Sequence, residues 1–303
     1  MRNPLSNDVS VIMPTCRRPE VLQRSLRSVL AQTHSPFEVI VVDDGPDENT
    51  EAVVSSFADS RLRYLRTTGR IGAARARNLG VDASQSSWIA FNDDDDEWLL
   101  LRLQRQFEAL QKLPDNTGFV CCSYLVLPRH EPPLVVSPTS RMNTGIWGPA
   151  TLYSFPFITP TWLIRRDVFE EVGGFDAAMP NLEDWELAFR LHSHTLFHVI
   201  SEPLVVKHGS HGSLDSNLPA RLESFRRIHH KHEALWQNTP DVLAKIQVEI
   251  GKLCCRTSDF AAARSAAYAA LRHEPFNATA WAIIAAASFA GLPYKALKGA
   301  KSE

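Results

Sequence analysis

Five carboxylates stand in a row at Asp93, Asp94, Asp95, Asp96 and Glu97. Side by side they repel one another, and a folded chain holds them together only if a cation or ample solvent answers the charge. Two uses suit such a run. It can open a helix, whose free N–H groups and dipole favour negative charge, or its oxygen donors can bind magnesium or manganese and, through the metal, a phosphate group. Four aspartates exceed what a cap needs. The apolar WIAF before them (88–91) reads as a core strand, and open α/β sheets place their ligands at the C-terminal ends of such strands. Other candidates are weaker one by one. Asp43 and Asp44 precede Gly45 after an apolar run, where a turn is the plainest use of these residues. Arg75 and Arg77 follow Gly72 at positions that are ordinarily solvated on a helix. Asp184 lies in the acidic helix start NLEDWEL, where a first-turn carboxylate favoured by the dipole and a proton acceptor are both open. His208 and His211 fall in a glycine- and serine-rich stretch, as polar loop residues or as further metal ligands. Taken together, a strand-end aspartate pair, a glycine-led helix bearing arginines and an acidic loop are the parts that hold the base, diphosphate and cation of a nucleotide. The turn Gly69-Arg70-Ile71-Gly72 has neither dinucleotide-fingerprint nor P-loop spacing, which argues against a dehydrogenase or a kinase.

The elements that must position these groups alternate. Apolar, β-prone runs at 9–13, 38–42, 61–65 and 88–91 are separated by helical patterns at 20–32, 49–58 and 72–83. That alternation predicts an α/β domain with a mainly parallel sheet flanked by helices and right-handed crossovers, so that loops 14–19, 43–49 and 92–97 meet along one edge. A helix from 97 to about 112, a strand at 119–127, a proline-crowded excursion over 128–160, a strand at 161–164 and a helix from Asp167 to the stop at Gly173-Gly174 follow. Two short strands at 196–200 and 204–207 come after the helix that opens at 183. From Asn217 the pattern is helical only, and 260–271 and 278–289 resemble hairpins of the tetratricopeptide type. Two domains are expected: 1–237, and a helical appendage over 238–303 that packs on the first or offers a surface to a partner.

A net charge of −2 argues against a general nucleic-acid binder. Five cysteines, partly adjacent and without zinc-site spacing, suit reduced thiols. No signal peptide is visible, and the most apolar run, 278–290, is too short to span a bilayer. A cytoplasmic protein is expected, with peripheral contact at the inner face of a membrane left open.

The segments VSVIMPTCRRPEVLQRSLRSVLAQTH, FEVIVVDDG, GAARARNLGVDAS, WIAFNDDDDEW, GGFD and EDWELAFRL occur in the order and spacing of family 2 glycosyltransferases of the GT-A fold, and over about 8–212 the chain resembles that family. The resemblance implies an inverting, metal-dependent enzyme using a UDP-, GDP- or dTDP-sugar, with a glycan, lipid-linked or protein acceptor, in the synthesis of a cell-surface polysaccharide or another glycoconjugate. It implies that Pro14 and Thr15 line base and ribose, that Asp44 hydrogen-bonds the base with Asp43 beside it, and that Asp93-Asp94-Asp95 is the DxD motif. Asp94 would lie near ribose or metal, and Asp95 would be the principal ligand of Mn2+ or Mg2+, with Asp93 and His208 or His211 completing the site. Asp184 falls where the family places its catalytic base. There are departures: Arg70 stands where asparagine is frequent, and neither a QxxRW motif nor membrane helices follow EDW, which points to transfer of a single sugar. A scaffold of the same fold that has lost turnover and acts through its helical tail is the competing reading. A nucleotidyltransferase would want a basic loop after the first strand, for which Cys16-Arg17-Arg18 is a thin signal.

Overall fold

The computed structural model describes residues 7–45, 47–128, 131–137, 144–154, 158–209 and 217–289. They divide into two compact units, one of residues 1–177 and 183–211, the other of 178–182 and 212–303.

The first unit is built on a nine-stranded sheet. Strands β1 (Val9–Thr15), β2 (Glu38–Asp43), β3 (Leu62–Arg66) and β4 (Trp88–Phe91) run parallel in the order β3-β2-β1-β4. Helices α1 (Pro19–Leu30), α2 (Glu48–Ser55) and α3 (Ala73–Asp82) make the crossovers. The two central strands and β4 are covered on both faces, hence their unbroken apolar runs. Leu22, Leu26 and Val29 recur at helical spacing on α1 and are buried in the same core as Val9, Val11 and Val39. On α3 the close approach falls at Gly80, where a Cβ would lie 2.4 Å from the Ile12 Cγ2 methyl.

Beyond β4 the sheet becomes mixed. It adds β5 (Glu97–Trp98), β6 (Thr117–Leu127), β7 (Leu134–Val136), β8 (Leu163–Arg165) and β9 (Leu196–His208), in the order β4-β8-β6-β9-β5 with β7 on β6. Only the β6–β9 pair in this half is parallel. Helices α4 (Arg102–Leu110), α5 (Pro149–Ser154), α6 (Arg166–Glu171) and α7 (Glu183–Leu191) complete the unit. Two expectations are corrected here. The helix expected from residue 97 begins at Arg102, because Glu97 and Trp98 pair with Val206 and Val205 of β9 and Trp98 is buried by that pairing. The two short strands expected at 196–200 and 204–207 are one strand, whose Glu202-Pro203 interruption is absorbed by register shifts around Ser123.

The second unit contains α8 (Leu218–Lys231), α9 (Glu233–Gln237), α10 (Pro240–Arg256), α11 (Phe260–Leu271) and α12 (Ala278–Ser288). Asn217, Asp259 and Asn277 cap three of these helices through their side chains. Ala263, Ala266, Ala267 and Ala270 form the buried face of α11. The unit takes in 178–182 and everything from 212, so the boundary expected near 238 falls inside it: α8 packs on α10, and Phe225 and Ile228 are buried.

Candidate active site

Three adjacent parallel strands end together, and each delivers carboxylates or their partners. Thr15 ends β1, Asp43 ends β2 opposite it, and Asn92 follows β4. The acidic stretch is a tight turn closed by the Asp96 N–H on the Asp93 carbonyl, 3.2 Å. Helix α1 holds it from below: Ser25 Oγ donates to the Asp93 carbonyl at 2.9 Å, and Asn92 Nδ2 donates to Ser25 Oγ at 2.8 Å. The turn therefore caps no helix. The next one starts at Arg102, and the capping use of these aspartates falls away.

Arginines answer the charge. Asp94 is fully buried, accepting from Thr15 Oγ1 at 2.8 Å and from Arg18 Nε at 3.1 Å on Oδ2, while its Oδ1 pairs with Arg18 Nη2. Burial pushes its carboxyl up to about 7 against the pull of Arg18. Arg18 Nη1 also reaches Asp95 Oδ2 at 2.9 Å. On the other side Arg77 donates from Nη2 to Asp93 at 2.7 Å and from Nη1 to Glu183 at 2.6 Å. Burial alone would lower the Arg77 pKa, but Asp93 and Glu183 outweigh it and hold the guanidinium above its ordinary value. Asp96, also buried, has its carboxyl raised by burial and by Asp93 and Asp95.

The Asp43-Asp44 pair is engaged with backbone. Asp43 accepts from the N–H groups of Gly45 and Asp47 and from the Tyr64 hydroxyl at 2.6 Å. Asp44 accepts from Ile71 N–H at 2.6 Å and Gly72 N–H at 2.9 Å, and so ties the glycine turn to the end of β2. Gly72 takes φ 91° there, a conformation that other residues adopt only under strain. Pro14 is half-buried beside Thr15, whereas Arg75 points to solvent two residues from the buried Arg77.

Asp184 lies in the first turn of α7, its Oδ1 accepting from the Trp185 N–H at 2.8 Å. Burial, then the neighbouring Glu183, raises its carboxyl to about 7, where a group can both take and hold a proton at neutral pH. Arg77 thus joins the acidic turn to the helix start that carries Asp184. His208 ends β9 with Nε2 2.5 Å from Glu97 Oε2, and His211 lies outside the described residues.

Among the described residues no three carboxylate, imidazole or thiol groups gather within one metal's reach. The donor chemistry nonetheless fits a hard cation. Asp93 and Asp95 keep 32% and 15% of their side chains exposed and offer oxygen only, the donor type that hard cations take. Sequence reasoning missed Arg18, Glu183 as the partner of Arg77, and Ser25. The signal for the first was present: four aspartates need cations, and Cys16-Arg17-Arg18 follows the neighbouring strand.

An open α/β sheet whose parallel half ends in acidic and arginine-bearing loops defines the GT-A class of fold. Solved structures agree. The S. aureus protein TarS, residues 1–349 with UDP-GlcNAc, superposes with a TM-score of 0.66 at 16% identity over 88% of this chain and 81% of that one. The mannosyltransferase PcManGT of Pyrobaculum calidifontis, in complex with GDP-Man and Mn2+, gives 0.61 at 19% identity over 98% and 80%. These likenesses show the fold. Residues 10–173, more than half of the chain, match the model for glycosyl transferase family 2, and the chain belongs to that family. Among curated relatives, the UDP-Glc:alpha-D-GlcNAc-diphosphoundecaprenol beta-1,3-glucosyltransferase WfgD of Escherichia coli is 35% identical over 39% of this chain, a match spanning 46% of WfgD's own length. The putative colanic acid biosynthesis glycosyl transferase WcaA of E. coli K12 is 25% identical over 76% of this chain and 82% of its own.

Proposed function

We propose that this chain transfers one sugar from a nucleoside diphosphate sugar to an acceptor hydroxyl, with inversion and with a divalent cation. The observation that carries the reading is the pairing of two acidic centres through one buried arginine: Asp93 on the donor side, Glu183 and hence Asp184 on the acceptor side. In an inverting displacement the acceptor oxygen attacks the anomeric carbon from the face opposite the diphosphate, and the bond to the diphosphate oxygen breaks as the new C–O bond forms. Asp184 takes the acceptor's proton, and its raised carboxyl is matched to that task near pH 7. Asp95 and Asp93 would hold Mn2+ or Mg2+, whose chemistry there is to neutralise the charge that gathers on the departing diphosphate. Thr15, Pro14 and the Asp43-Asp44 end of β2 take the nucleoside.

UDP-GlcNAc and GDP-Man in two structural neighbours support a nucleoside diphosphate donor. The names of WfgD and WcaA support a lipid-linked or polysaccharide acceptor. Among the described residues no helix is long and apolar enough to cross a membrane, so a lipid-linked acceptor would be met at the membrane surface. The helical unit from 212 onward is proposed to serve a partner or the acceptor, because every candidate nucleotide residue lies in the first unit. The test is a panel of UDP-, GDP- and dTDP-sugars scored by thermal stabilisation with Mn2+ and with EDTA. One donor family should stabilise the protein, and only with metal; no stabilisation by any of them overturns the proposal.

A further inference from the structure

We infer that Arg18 is an internal counter-ion that neutralises Asp94 and Asp95 while no nucleotide is bound and passes to the diphosphate when one arrives, so that metal and nucleotide bind cooperatively. The inference rests on the donor-site reading above. One guanidinium makes three contacts to two successive aspartates, with Nε and Nη2 on Asp94 and Nη1 on Asp95 Oδ2. The last oxygen is one that a divalent cation at Asp95 would claim, and a guanidinium cannot share it with a doubly charged ion without repulsion.

The two arginines of the site differ in freedom. Arg77 keeps 6% of its side chain exposed and is tied through both terminal nitrogens to Asp93 and Glu183, so it is held in place. Arg18 keeps 46% exposed and can swing out into water at little cost. Its backbone stays fixed: Arg17 before it sits at φ 54°, and its carbonyl accepts the Leu22 N–H at the start of α1. Asp94 remains held by Thr15 when Arg18 leaves. A diphosphate offers pairs of acceptor oxygens that the planar arginine fork matches, and with more negative charge than one aspartate. Arrival of the nucleotide therefore draws Arg18 off Asp95 and opens that oxygen to the metal. By linkage, metal and nucleotide raise each other's affinity by the same factor.

The experiment titrates Mn2+ by calorimetry and by the EPR signal of the free ion, into the 303-residue chain and its Arg18→Gln and Arg18→Lys variants, alone and with saturating UDP, GDP or dTDP. Without nucleotide, Arg18→Gln should bind Mn2+ at least about fivefold tighter than the parent, and the factor by which nucleotide improves Mn2+ affinity should shrink by at least about fivefold. Arg18→Lys, which keeps the charge but not the fork, should shift both in the same direction by less. Unchanged or weaker Mn2+ binding by Arg18→Gln, with nucleotide binding intact, overturns the inference and leaves the donor site standing. If the parent binds none of UDP, GDP and dTDP with or without Mn2+, both fall. Should Arg18→Gln fail to fold, the same shift must appear in Arg18→Lys, and its absence there overturns the inference.

Discussion

Replacing Arg77 by methionine keeps the aliphatic stem against the Phe175 ring, 5.5 Å from the guanidinium carbon, and removes the charge that two acidic groups share. Removing one partner of a fully buried ion pair costs about 3–5 kcal/mol. Glu183 approaches that limit with 12% of its side chain exposed, whereas Asp93, at 32%, can turn to water when released. We therefore expect about 3 kcal/mol at pH 7, the larger part of it from the Glu183 contact. Urea unfolding, read by tryptophan fluorescence at constant slope, measures it. A double-mutant cycle locates it: Arg77→Met with Glu183→Gln should give a coupling of about 1.5–2 kcal/mol, and Arg77→Met with Asp93→Asn about 0.5. A coupling to Glu183 below about 0.5 kcal/mol would refute the claim that this bridge holds the start of α7 to the acidic turn.

Other expectations follow from single residues. Asp184→Asn should lower turnover roughly a hundred- to ten-thousandfold while donor affinity changes little, and near-normal turnover would move the search for the base to another carboxylate. Because the carboxyl of Asp184 is raised to about 7 and must be ionised to work, kcat/KM should fall about tenfold per pH unit below 7 and level off above it. A flat profile between pH 5 and 8 would contradict this. A raised folded-state value means that the ionised form is disfavoured in the fold, so stability from this group is present at low pH and lost as pH rises through 7. Asp184→Asn should accordingly melt above the parent at pH 8, with the gap closing by pH 4. Asp95→Ala should remove the cation dependence of nucleotide binding in calorimetry without loss of fold, and retained dependence would shift the principal ligand to Asp93. At Gly80, alanine would gain about 1 kcal/mol of helix propensity. The 2.4 Å clash with the branched Ile12 side chain should still produce a net loss of about 1–2 kcal/mol, seen as a lower Tm.

What could be read without coordinates was what short-range pattern encodes. The strand Trp88–Phe91 was legible because four apolar residues meet a hard polar boundary at Asn92, and the alternating series before it follows from strands covered on both faces. Asp93, Asp94 and Asp95 stood out for the same reason. The failures are long-range. Trp98 continues a helical period with Leu101 and Arg102, and nothing local says that Val205 and Val206, over a hundred residues later, offer it a strand to pair with. Arg75 and Arg77 are alike in sequence, and which of them turns inward depends on Glu183 lying across from it. Arg18 is a thin basic signal in sequence, since its significance comes from facing Asp94 across 76 residues of chain.

The bridge from Arg77 to Glu183 also says where this chain can change. The groups proposed to hold the donor lie beyond three neighbouring strand ends, so under that proposal the loops after β1 and β2 can drift toward a different base or sugar while the ladder beneath is untouched. The helix start that carries Asp184 is tied to the acidic turn by Arg77, one terminal nitrogen on Asp93 and the other on Glu183. In a hybrid built on the proposed reading, an incoming half that retains a glutamate at 183 keeps the bond to Arg77. One that lacks it takes from the buried Arg77 its bond across to α7 and leaves it the bond to Asp93. The junction for building hybrids of such enzymes therefore lies ahead of Glu183, with Arg77 as the socket that any incoming half must fit.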